Sequence, residues 1–415
     1  MKILFVSGNI PYKANSGITV KIFNLLAALS QFNDVVAAFI SDKTEMNVSA
    51  EKRCTLNVRN HLILEKKYSN RVVRYCSHVL RVLFMTRVAK SRLATLIRKE
   101  NPDIVWLEFG YICHLIPFLR QFRTPIVYGS HNSQFLLDYG VWKTHPFMRK
   151  LLQAPFIFVY FIHERLFFRL ADRFCCISSH DMAYYGRFIP PKNIAYLPYY
   201  FDDRNISEKE HGIKVDHKYI CLVGSLRAYQ NYSAVIFTLQ LIWPLVHASR
   251  KDLYLYIIGE LPPGESPEYR ELQNTLVVSN NVIVTGEVPS VIPYVKSALV
   301  NIVPILLGSG VRTKIIESVA CRTPVVSTGI GAEGLPFVND ESILIADDPA
   351  QFSKKVLQLV DDEAGREKIS SRAYAVYSKE LSIHAAVENL KTILSDYDKD
   401  GSLTETFPVG RVGNG

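Results

Sequence analysis

Residues 303–334, VPILLGSGVRTKIIESVACRTPVVSTGIGAEG, spell out a strand, a glycine turn, a helix and a second strand. The apolar run ending Val303-Pro304-Ile305-Leu306 has the composition of a buried parallel strand. Gly308-Ser309-Gly310 follows, a turn whose glycines let backbone approach a ligand closely. Ile315, Ile316 and Val319 then give a helix its apolar face, with Lys314 and Glu317 three residues apart on another. Residues 324–327 are a second strand, and Gly329, Gly331 and Gly334 mark a second turn. Together they form a βαβ unit whose helix N-terminus is open to an anion. Arg312 and Lys314 sit in that first turn, where two cations oppose the helix dipole at ~0.3–1 kcal/mol each. A bound phosphate relieves that cost; equally, both side chains can point into solvent.

Outward from this unit, the same strand-then-glycine rhythm recurs. Residues 219–223 lead into Gly224-Ser225, residues 253–258 into Gly259-Glu260, and residues 282–284 into Gly286-Glu287-Val288-Pro289. In the amino-terminal half, residues 3–8 form a strand, a loop ends at Ser16-Gly17, and residues 20–29 carry Ile22, Leu25, Leu26 and Leu29 at helical spacing. A glycine loop between first strand and first helix is the ligand face of a doubly wound sheet. It is not G-x-G-x-x-G, so a dinucleotide-binding fingerprint is missing. Residues 35–40, 102–107 and 125–128 are further strands, the last ending in Gly129-Ser130-His131-Asn132. That puts His131 at the carboxyl end of a strand, where α/β sheets place ligands, although a lone histidine is more often structural.

The chain has 415 residues, enough for two domains with a core each. Its 48% hydrophobic and 21% charged residues describe a globular protein on the apolar side. Seven cysteines with no C-x-x-C pair suggest neither a zinc site nor a disulfide framework, and an odd count suits a reducing cytoplasm. No signal peptide is visible ahead of the first strand, and no apolar run reaches the ~18–20 residues of a membrane span. Much of the net charge of +9 is local: residues 66–99 hold ten Lys or Arg and no acid. Arg71, Arg74, His78 and Arg81 recur there at helical spacing, with Val72, Val79, Leu80 and Leu83 mainly elsewhere around the helix. A basic amphipathic helix binds anionic bilayers at about 1 kcal/mol per basic residue; a solvated basic face is the alternative. Sparse aromatics and no accompanying motif speak against nucleic acid. Residues 151–162, LLQAPFIFVYFI, are too short to span and read as a buried helix; their aromatic content, flanked by Met148-Arg149-Lys150 and Arg165, leaves room for partial lipid contact.

The string G-x-G-x-R-x-K-x-x-E at residues 308–317, A-C-x-x-P-V-V-S-T at 320–328 and G-x-G-x-E-G-L at 329–335 resemble the nucleotide-sugar-binding signature of retaining glycosyltransferases of family 4, in its Gly-rich form. The wider family has two glutamates separated by seven residues; Glu317 matches the second, and Ser309 stands where the first would be. The resemblance is specific in residues 303–335, fair in 1–30 and 125–135, and weak in 60–100. It implies a GT-B fold: two doubly wound α/β domains facing across a cleft. Residues 1–200 would be the acceptor-side domain and 201–395 the nucleotide-sugar domain, with a last helix at about 380–395 crossing back. Residues 396–415 read as a disordered tail; Asp396, Asp398 and Asp400 are spaced like the start of a calcium loop, but Phe407 stands at its twelfth position.

By resemblance, the activity is retaining transfer of a sugar from a nucleotide-sugar donor to a glycan or lipid-linked glycan, in cell-surface polysaccharide synthesis. Arg312, Lys314 and the Gly308, Ser309 and Gly310 amides would take the diphosphate, with Arg227 a further candidate. Glu317 would hold the ribose, Glu287 and Val288 the nucleotide through their backbone, and His131 would meet the donor sugar from the other domain. Ser16 and Gly17 lie in the amino-terminal ligand loop. The only D-x-D patterns fall in the tail, so no divalent metal is expected, and no cofactor besides the nucleotide-sugar substrate. The expected location is cytoplasmic, peripheral on the inner face of the membrane. A non-catalytic subunit that kept the fold and a nucleotide-sugar epimerase are the competing readings.

Overall fold

The computed structural model describes residues 1–11, 17–42, 58–65, 87–108, 110–131, 135–136, 139, 142–143, 147–203, 206, 212–308 and 310–397. The basic stretch 66–86, with Arg71, Arg74, His78 and Arg81, lies outside them, as do Ser16, Asn132, Ser309 and residues 398–415.

Two parallel sheets organise the chain. The first contains β1 (Lys2–Ser7), β2 (Asp34–Asp42), β3 (Arg59–Glu65), β4 (Ile104–Glu108), β5 (Ile126–Gly129), β6 (Arg173–Cys176) and β7 (Ile194–Tyr196), in the order β3-β2-β1-β4-β5-β6-β7. The second contains β8 (Tyr219–Val223), β9 (Tyr254–Ile258), β10 (Val282–Gly286), β11 (Asn301–Val303), β12 (Val325–Ser327) and β13 (Leu344–Ile345), in the order β10-β9-β8-β11-β12-β13. Each order reverses beside its first strand, so each sheet has a switch point, between β1 and β4 and between β8 and β11. Crevices outside the carboxyl ends of strands at such points are where open α/β sheets bind ligands.

Both faces of the first sheet are covered. Leu4 and Val6 point into a core with Leu93 of α2 (Arg87–Glu100), Ile116 and Phe168. Ile3 and Phe5, one step out of phase, point the other way onto Ile22 and Leu26 of α1 (Gly17–Leu29). That second layer also takes Ala386, Val387, Leu390 and Leu394 from the last helix. Strand β11 stops at Val303, three residues short of the apolar run that the sequence offers, because Pro304 brings no N–H to the ladder.

The chain crosses between the domains twice, side by side. On the outward pass, Tyr199-Tyr200-Phe201 is gripped by both halves. Asn24 of α1 donates to the Tyr200 carbonyl (2.8 Å), and Tyr377 Oη donates to the Phe201 carbonyl (2.9 Å). On the return, Phe201 N donates to Leu381 O at 2.9 Å before the last helix begins. Beyond that helix, Asp396 pairs with Arg173 and Tyr397 packs on the first domain, so the start of the expected tail is held in place.

Among the described residues one helix, α5 (Tyr229–Ser249), is long and apolar enough to cross a membrane, contrary to the expectation that no such stretch exists. Its packing explains it. Val235, Leu239, Ile242, Trp243 and Val246 are core residues of the second domain. The helix opens to a π turn at Thr238–Ile242 just before Pro244, which cannot donate to the regular ladder.

Candidate active site

The first sheet's switch point holds a buried charge cluster. Strand β4 is wholly buried and ends in Glu108. The two-residue strand period puts Trp106 and Glu108 on one face, and the indole N–H donates to Oε2 at 2.9 Å. Lys21, one turn into α1 and its one charged side chain, donates to Glu108 Oε1 at 2.8 Å and to the Ser130 carbonyl at 2.7 Å. His131 Nε2 lies 2.9 Å from the same Oε1. Burial works to raise the Glu108 carboxyl, but Lys21 and His131 outweigh it and hold it down at about 2. Burial, seconded by Lys21 and opposed by Glu108, lowers His131 to about 4. At neutral pH the ring is therefore neutral. An ionised carboxylate only accepts, so Nε2 carries the hydrogen and Nδ1 presents its lone pair. The cluster depends on Gly129, which pairs with Glu108 in the ladder: a Cβ there would stand 1.8 Å from Oε2.

At the second switch point, Gly308 and Gly310 take positive φ, and α6 (Thr313–Ala320) begins just after Arg312. The Arg312 guanidinium folds back over Gly308, 3.0 Å from where a Cβ would be. Lys314 reaches to the end of β8. Its Nζ donates to Asn231 Oδ1 at 2.7 Å and lies 2.8 Å from the Cβ position of Gly224, whose φ of 153° also suits glycine. Burial first, then Arg312, lowers the Lys314 ammonium to about 8, with Glu317 partly opposing. Burial lowers Arg312 as well, against the pull of Glu333. Burial raises Glu317, opposed by Lys314 and the Thr313 hydroxyl. Tyr199 of the crossing packs with Ile315, Ile316 and Val319 of α6. Burial and the nearby Glu317 push its phenol well above the ordinary value.

The other expected site residues are dispersed. Arg227 is exposed and pairs with Glu260 at 2.8 Å. Glu287 is exposed beyond β10, while Val288 packs beside β8 and β9. Gly17 starts α1. The two domains touch where a side chain at Gly334 would meet Ser178 Cβ at 2.9 Å. Ser178 caps α4 (Ser179–Tyr185) and donates to Asp181 at 2.8 Å; burial raises Asp181, and Glu333 adds to it.

Three members of these clusters escaped the sequence reading. Asn231, a neutral amide in the loop after β8, accepts from Lys314 and seats it. Lys21 and Glu108 are a lone charge in an apolar helix and a lone acid ending an apolar strand, a signal visible in the sequence once the strand order is known.

Two doubly wound domains with facing switch points define the GT-B fold. Residues 217–362 match the family model described as glycosyl transferases group 1. Over 90% of this chain and 95% of the relative, the sequence is 22% identical to an uncharacterized 44.6 kDa protein in the cps region of Klebsiella pneumoniae. Among solved structures, Anabaena Alr3699/HepE in complex with UDP superposes with a TM-score of 0.68 at 12% identity, covering 95% of this chain and all of that one (100%). Sucrose-phosphate synthase from Thermosynechococcus elongatus superposes with a TM-score of 0.70 at 15% identity, covering 95% and 98%. The domain match and the shared fold support a GT-B glycosyltransferase.

Proposed function

We propose that the protein is a retaining, metal-independent glycosyltransferase that moves a sugar from a nucleotide-sugar donor to a glycan or lipid-linked glycan in cell-surface polysaccharide synthesis. The observation that carries this is Lys314. Its ammonium sits beside a second cation at a glycine turn, donates to a neutral amide, and is lowered to about 8 by burial. A diphosphate at that turn favours the charged form of Lys314 and gives the two neighbouring cations an anion of opposite charge. In transfer, the bond from the anomeric carbon to the diphosphate breaks while one to the acceptor oxygen forms on the same face, and the acceptor's hydroxyl proton passes to the departing diphosphate. Arg312, Lys314 and the turn amides stabilise the charge developing on the leaving diphosphate. Glu317 holds the ribose and the backbone around Glu287 and Val288 the base. His131, its tautomer set by Glu108, orients the sugar from the opposite domain, so closure completes the site. The UDP in the HepE complex favours a uridine nucleotide, and the cps-region relative favours a polysaccharide acceptor. The basic run at residues 66–99 would bring the enzyme to an anionic membrane surface carrying a lipid-linked acceptor.

The test is nucleotide release from a panel of UDP-sugars, with and without an undecaprenyl-diphosphate-linked glycan acceptor. Acceptor-dependent release supports transfer. Conversion of the sugar without release indicates an epimerase, and no turnover of any donor indicates a non-catalytic subunit. Lys314→Ala should then lower donor turnover at least tenfold, since a charge-assisted contact contributes about 1.5–3 kcal/mol.

A further inference from the structure

The helix α3 (Phe147–Phe167) is longer than the apolar run read from the sequence, and only one side of it is buried. Phe147, Leu151, Phe158 and Leu166 are 77%, 61%, 63% and 56% exposed. At about 100° per residue they fall within about 100° of arc, one continuous stripe running ~28 Å along the helix. Leu170, just beyond, extends it. A soluble surface rarely strings large apolar side chains together in this way.

Among the described residues, the exposed charges in the helix and at its two ends are positive, apart from Asp172 beyond Leu170, which is paired with Arg120. The helix has one acid, Glu164, which is buried and turned inward, accepting from Phe135 N at 3.0 Å and from Tyr184 Oη at 3.2 Å. At the amino-terminal end, Tyr139 and Trp142 stack, with Lys143 4.5 Å over the Tyr139 ring and Lys150 5.8 Å over Trp142. Beyond the other end Arg169 and Arg187 are exposed. Aromatic rings with lysines beside an apolar stripe match the boundary between lipid headgroups and acyl chains.

We infer that α3 is an interfacial helix that lies flat on an anionic bilayer, with Phe147, Leu151, Phe158 and Leu166 among the acyl chains and the basic rim among the headgroups. It does not span, because its other side packs on the first domain through Glu164, Phe135 and Phe161. A second copy is the poorer occupant: docking two such faces brings two basic rims together on a chain of net charge +9. The inference shares a membrane surface with the proposed function but uses none of the residues of the basic run.

Sedimentation with vesicles tests it without donor or acceptor. Wild type should bind vesicles of equal parts phosphatidylglycerol and phosphatidylcholine. The Leu151→Ser/Phe158→Ser double variant should bind at least tenfold more weakly with an unchanged melting temperature; Phe147→Ser serves if that variant is unstable. Trp106 and Trp243 are buried, so of the three tryptophans Trp142 should respond to lipid, with a blue shift and quenching by brominated acyl chains. Wild-type failure to bind overturns the inference. So does unchanged binding of the stripe variants while Arg71→Glu/Arg74→Glu/Arg81→Glu abolishes it, which leaves the basic run as the contact. Loss of a concentration-dependent dimer with vesicle binding intact assigns the stripe to a second copy.

Discussion

A single ammonium, that of Lys314, reports on the proposed diphosphate site. Its value of about 8 without ligand means that the cation is largely present at pH 7 and lost as pH rises through 8. A diphosphate beside it raises that value towards the ordinary one, so binding takes up a proton in this window. UDP affinity should therefore fall about tenfold between pH 7 and pH 9. Calorimetry in buffers of different ionisation enthalpy should show the proton uptake at pH 8.5. In Lys314→Gln both the pH dependence and the uptake should vanish; an unchanged profile would place the diphosphate elsewhere. Arg312, Lys314 and Glu317 were legible because they follow a glycine turn at fixed spacing. The Lys21–Glu108 pair was not. Its two members are 87 residues apart, and only the placing of β4 next to β1 brings them together.

At the level of elements, the strands were the most legible part, since fully buried parallel strands read as short apolar runs between glycines. Their ends were less so: Pro304 shortens β11, and α3 outruns its apolar core at both ends. The apparent membrane segment Tyr229–Ser249 shows why composition alone misleads, because a helix buried between sheet and neighbours needs the same side chains as one in lipid. The pairing of β4 with β5 carries its own prediction. Glu108 is pinned by Trp106, Lys21 and His131 and has no room to retreat from a methyl at Gly129. Gly129→Ala should cost about 3 kcal/mol in urea unfolding, as a buried ion pair is forced apart. A loss below about 1 kcal/mol would mean that the cluster is looser than it stands here.

For the whole molecule, the two-domain plan was readable from two separate series of strands, whereas the doubled crossing was not, because Tyr199-Tyr200-Phe201 carries no turn signal. The last helix, α9 when numbered after α7 (Pro349–Asp361) and α8 (Glu363–Glu380), spans Ile383–Ser395 and belongs by packing to the first domain. Leu390→Ala should remove about 2–5 kcal/mol. Hydrogen exchange should place the loss in α1, β1 and β2, with β8 and β9 nearly unaffected; equal loss in both domains would argue against this division.

The return of α9 also has a consequence for synthesis. A nascent chain ordinarily completes its first domain while the second is still being made. Here Ile3, Phe5, Ile22 and Leu26 face a layer whose other side, Ala386 to Leu394, is translated after every strand of the second sheet. On the ribosome the first domain therefore waits with one apolar face uncovered, the second domain is the first to close, and the amino-terminal half is sealed by residues that emerge only after the whole second sheet.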